Sequence, residues 1–147
     1  MAFENKAVRT VIEVLHDGEK GFQALGEKLK NPAAKSFFME ESATRGEFAA
    51  ELETVLGAVT DKNVTEGGTA AGTMHRVWGE LKGSMGGGDH TLLETAEQGE
   101  DTAKKAYEEV LQMDDVPAPI QMVLRKQQTH ILASHDKVKA MRDSVAA

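Results

Sequence analysis

The sequence predicts an all-α fold, a four-helix bundle in which two helical hairpins are joined by one long crossover. Three observations predict it. Apolar residues recur at three- and four-residue steps through four long stretches. The breaks inside each pair of stretches are short, whereas the pairs are separated by roughly thirty residues. Aromatic residues make up only 5% of the 147 residues, thin for a β protein, and no strand alternation is visible.

The first helix is expected over about residues 4–30, with Val8, Val11, Ile12, Leu15, Phe22, Leu25 and Leu29 on one face. Lys28 and Lys30 complement the dipole at its end. Asn31 and Pro32 read as N-cap and first residue of the second helix, over 32–60. Phe37, Phe38, Phe48, Leu52, Val55, Leu56 and Val59 form its stripe. So short a break forces an antiparallel hairpin. Gly67-Gly68 and Gly86-Gly87-Gly88 then bracket a short amphipathic helix over 69–83, carrying Met74, Val77, Trp78 and Leu81. The third long helix is expected over 91–113, opened by a capping box from Thr91 to Glu94. The fourth runs over 119–144, with Ile120, Val123, Leu124, Ile131, Val138 and Met141 inward. A connection as long as the one between the hairpins can run the length of a bundle, which favours the ferritin-like topology. The whole chain, 1–147, reads as one domain.

Composition excludes several chemistries. There are no cysteines, so thiolate metal sites, disulfides and cysteine nucleophiles are out. A formal charge of −7 with no basic stripe argues against nucleic acid as a partner. No apolar run nears the roughly 18 residues of a membrane span. Glu4, Glu13, Asp17 and Glu19 in the first twenty residues do not suit a secretory signal, so a cytoplasmic location is expected. No nucleophile motif or phosphate loop is present.

The informative residues are polar ones on apolar stripes. Glu19, Glu41, Glu100 and Gln127 fall where the helical period calls for apolar side chains, with Arg45 at the edge of the second stripe. His130 and His135 flank the fourth stripe. Matching levels along the hairpins sets Glu19 beside Glu41, and Glu100 beside His130 and one turn from Gln127. All would share one layer near mid-height. Three carboxylates in a dry layer need protons, an arginine, water or metal to cancel their charge. Carboxylate-bridged di-iron bundles use metal, with Glu from two helices and Glu-x-x-His from the other two. Here Thr44 stands where the second helix would carry His, and Gln127 where the fourth would carry Glu. The set is degenerate, and hard oxygen donors with one imidazole suit iron or manganese. The other reading is an internal salt-bridge and hydrogen-bond network around Arg45, or carboxylates that turn outward at the bundle edges.

The run His75-Arg76-Val77-Trp78-Gly79-Glu80-Leu81-Lys82, following Gly67-Gly68 and Gly72, is similar to the mid-chain signature of a bacterial family. Asp17-Gly18, Gly21-Phe22, Arg45 with Glu51-Leu52, Gly99-Glu100 and His135 also match it. The chain resembles the ferritin-like four-helix-bundle family of unknown function known from Pseudomonas and other proteobacteria. The resemblance spans almost the whole chain and implies a ferritin-like bundle, an association with stress responses and little defined chemistry. Many relatives carry Glu where this chain has Thr44.

Two functions follow as expectations. The first is a non-enzymatic, stress-associated bundle that acts by self-association, as a homodimer, or by binding a protein partner. The second is an iron- or manganese-binding oxidoreductase or metal store, with Glu19, Glu41, Glu100, Gln127 and His130 as ligands and His135 as an outer or alternative ligand.

Overall fold

The computed structural model describes residues 6–60 and 88–145. They form four helices: α1 (Lys6–Lys28), α2 (Pro32–Thr60), α3 (Asp89–Leu111) and α4 (Ala118–Ser144). Among the described residues there is no strand. The fold is an all-α four-helix bundle. The expected short helix over 69–83, with Trp78 and the run from His75 to Lys82, lies outside the described residues.

The helix starts have local causes. Asn31 caps α2, its Oδ1 accepting the backbone N–H of Ala34 at 3.0 Å, and Pro32 occupies the first turn, where its missing N–H is harmless. The α3 helix begins at Asp89, two residues before the expected Thr91. Its N-cap is Gly88, without a side-chain cap, so Thr91 and Glu94 do not form a capping box. Instead the Asp89 carboxylate reaches across to the α1–α2 turn, accepting the N–H groups of Lys30 and Asn31, both at 2.9 Å. Pro117 precedes α4.

That Asp89 contact also fixes the topology. It places the start of α3 at the end of the bundle where α1 stops and α2 begins. Because α2 finishes at the opposite end, the chain leaves Thr60 at one end and re-enters at the other. Arg142 near the end of α4 pairs with Glu97 near the start of α3, which makes the second hairpin antiparallel as well. Each helix packs on two others, and the α2–α4 seam is the thinnest of the four.

The apolar core has two blocks. One is built around Val11, Leu15, Leu52, Leu56, Tyr107, Val110, Ile120 and Leu124, all fully buried. The other is built around Phe22, Leu25, Phe38, Leu93, Ala96 and Val138. Between them, at one height, lie Gly18, Glu41, Arg45, Glu100 and Ser134. A polar layer therefore divides the core.

Candidate functional site

Arg45 is the centre of that layer and is 1% exposed. Its position on α2 follows from helical spacing, four residues after Glu41, so that two charged side chains meet on one face with the acid on the N-terminal side. Arg45 Nε donates to Glu41 Oε2 at 2.9 Å. Nη2 donates to Glu100 Oε1 at 2.5 Å and to Ser134 Oγ at 3.1 Å. Ser134 Oγ in turn donates to Glu100 Oε2. The guanidinium carbon sits 4.8 Å from the centroid of the Phe22 ring, within cation–π range. The Arg45 side chain passes over Gly18, where even an added methyl group would rest at an ordinary 3.5 Å from Nη1.

On the other side of Glu41 stands His130, with Nε2 at 2.8 and 3.0 Å from the two carboxylate oxygens. Its side chain is 40% exposed and stacks edge-on against Phe48. The layer is thus a continuous run of bonded side chains: His130 on α4, Glu41 and Arg45 on α2, Glu100 on α3, and Ser134 back on α4. Burial pushes the Glu100 carboxyl above its ordinary range, against the pull of Arg45 and the bond from Ser134. Burial acts to lower the Arg45 value, but Glu100 and Glu41 outweigh it and hold the guanidinium more firmly charged than usual.

The structure brings together Glu41, Glu100 and Arg45 as the sequence indicates, and it separates the rest. Glu19 is outside the layer. Its side chain is 42% exposed, its Oε1 lies 3.6 Å from His16 Nδ1, and its carboxylate rests over Gly46. The physical reason is that Glu19 lies at the edge of its stripe: its carbonyl accepts the Ser42 hydroxyl of α2 at 2.7 Å, while its long side chain runs out over Gly46 toward solvent. His130 pairs with Glu41 and not with Glu100, because the α3–α4 register differs by one turn from that expected, and Ser134 fills the place beside Glu100. Gln127 is fully buried but belongs to another level. It accepts from Tyr107 Oη at 2.7 Å and donates to Phe48 O at 3.1 Å and Glu51 Oε1 at 2.9 Å. His135 lies on the α3–α4 seam between Asp101 and Asp136, at 2.8 and 3.3 Å. Ser134 and Tyr107 are the members that sequence reasoning missed. Ser134 carried a signal, being polar and on the stripe between Ile131 and Val138.

This donor set does not fit a carboxylate-bridged metal pair. Both oxygens of Glu41 and both of Glu100 already have guanidinium, imidazole or hydroxyl partners, and Glu19, Gln127 and His135 are elsewhere. Among the described residues, no group of three or more His, Asp or Glu side chains is placed to hold a metal ion. No described helix is long and apolar enough to cross a membrane.

A family model described as Domain of unknown function (DUF2383) matches residues 4–113. The chain belongs to the DUF2383 family. No curated protein matches it. The DUF2383 match holds Glu41, Arg45 and Glu100 but stops before α4, so Ser134, His130 and Gln127 are supplied from beyond the matched span.

Proposed function

We propose that this DUF2383 chain is a ferritin-like bundle that acts by association, as a homodimer in bacterial stress physiology, and not as a metal-dependent oxidoreductase. The observation that carries this reading is the position of Arg45. A buried layer of carboxylates in a bundle needs a counter-charge, and here the chain supplies it from its own α2. The neutralising role that iron or manganese would fill is already taken. The hairpin topology, with a connection that starts at one end of the bundle and finishes at the other, supports the ferritin-like assignment. The acidic composition supports a protein partner or a second copy over nucleic acid.

The test is elemental analysis of protein made in iron- and manganese-replete medium, with sedimentation of the same sample. The expected result is less than about a tenth of an equivalent of either metal and a dimeric mass. Stoichiometric metal that is lost in Glu100→Ala would replace this reading with the metal-binding one. A strict monomer that recovers no partner from lysate would remove the association.

A further inference from the structure

Resting on the reading that no metal resides in the layer, we infer that the polar layer is a built receptor for a guanidinium cation, with Arg45 as its tethered occupant, and that it selects this shape over a divalent metal. Four features around the guanidinium belong to recognition and not merely to charge balance. Glu41 meets Nε at 2.9 Å and Glu100 meets Nη2 at 2.5 Å, so two carboxylates from different helices address different nitrogens of one plane. The Ser134 hydroxyl accepts a further N–H at 3.1 Å. The Phe22 ring lies 4.8 Å from the guanidinium carbon and supplies an aromatic face that a compact hydrated ion uses poorly.

A metal asks for something else. It needs donors converging at roughly 2.0–2.6 Å on one point, whereas these donors are spread around a flat fork. The half-exposed His130 covers Glu41 on the side nearest solvent.

The experiment is chemical rescue of Arg45→Ala, read by thermal unfolding and helical circular dichroism. The cations are guanidinium, methylguanidinium and ethylguanidinium at low millimolar concentration, far below the molar range in which guanidinium unfolds proteins. The comparison cations are sodium, tetramethylammonium and Mn2+. Near a hundred times its Kd, ethylguanidinium is expected to raise the Tm of Arg45→Ala by roughly 5–10 °C. The native chain and the double variant Arg45→Ala/Glu100→Ala are expected not to respond. If Arg45→Ala does not fold by itself, recovery of helical signal with ethylguanidinium supports the inference, and no recovery with any guanidinium overturns it. Equal rescue by Mn2+ or tetramethylammonium, or equal response of the double variant, also overturns it. Metal in the native chain would instead sink the association reading, so the two failures are distinguishable.

Discussion

Glu100 on α3 and Ser134 on α4 face each other across the buried seam, the hydroxyl donating to one carboxylate oxygen while it accepts from Arg45. A serine thus links the Glu100 carboxylate and the Arg45 guanidinium from the fourth helix. It also binds the fourth helix to the ionic centre without adding another charge.

Glu100 makes stability depend on pH. Burial raises its folded-state pKa above the ordinary 4.5, so its contribution is fully present below about that pH and is lost as pH rises through the raised folded value. Glu100→Gln removes this slope. In urea unfolding over a pH series, the stability of the native chain relative to Glu100→Gln is expected to fall as pH rises through that window and then level off. A pH-independent difference would contradict it. Ser134→Ala withdraws a bond that lowers the Glu100 value, so it is expected to move the window upward and to cost about 1–3 kcal/mol at neutral pH.

Arg45 is the residue whose loss costs most. Arg45→Met leaves two buried carboxylates without their shared cation and is expected to destabilise by about 3–5 kcal/mol. Adding Glu41→Leu and Glu100→Leu to Arg45→Met is expected to recover most of that loss, because apolar replacement of a whole buried ionic set is often neutral or stabilising. Denaturant midpoints of the single and triple variants check both statements. A triple variant weaker than the single one would refute the second.

Two glycines separate by what stands over them. A Cβ on Gly46 would come within 2.6 Å of Glu19 Oε2, the far end of a half-exposed side chain that can swing away. Gly46→Ala is therefore expected to stabilise by up to about 1 kcal/mol through helix propensity. A Cβ on Gly26 would meet Phe38 Cβ at 3.2 Å, an atom held next to the α2 backbone in the fully buried Phe38, and Met39 Cε at 3.1 Å. Gly26→Ala is expected to destabilise by about 1–3 kcal/mol. Thermal unfolding of the pair should give opposite signs.

Gln127 tests the degenerate-ligand idea directly. Gln127→Glu restores the carboxylate of a Glu-x-x-His pair, yet it removes the donor to Phe48 O and sets a charge next to Glu51. The expected result is a loss of about 2–4 kcal/mol at neutral pH with no gain of metal affinity. Tyr107→Phe is expected to cost about 1–2 kcal/mol by stripping the hydroxyl from Gln127 Oε1. Burial pushes the Tyr107 phenol far above its usual range, so the hydroxyl stays a donor throughout the test.

The helices were legible because their stripes are long and regular, and the bounds of α2 needed no correction. The presence of Glu41, Glu100 and Gln127 in the interior was legible for the same reason, since polar residues on an apolar stripe stand out. What periodicity did not carry was the slide of one helix along another. Sliding α4 by one turn keeps Leu124, Ile131 and Val138 on the same inward face and changes only their height, so the stripe alone does not set the level. The choice is made by the ionic layer, which accepts Ser134 and not His130 beside Glu100. Glu19 failed for a different cause. It lies at the edge of its stripe, and a long side chain at an edge turns to water.

Asp89 carries one last implication. By gripping the two amides of the α1–α2 turn, it moors the first residue of α3 to a landmark nearly sixty positions earlier in the chain. The second hairpin therefore takes one of its bearings from its own leading edge and not from the stretch of polypeptide that delivers it, so lengthening that stretch should leave the docked helices undisturbed, whereas neutralising this single carboxylate should loosen that corner while the buried blocks keep the helices together.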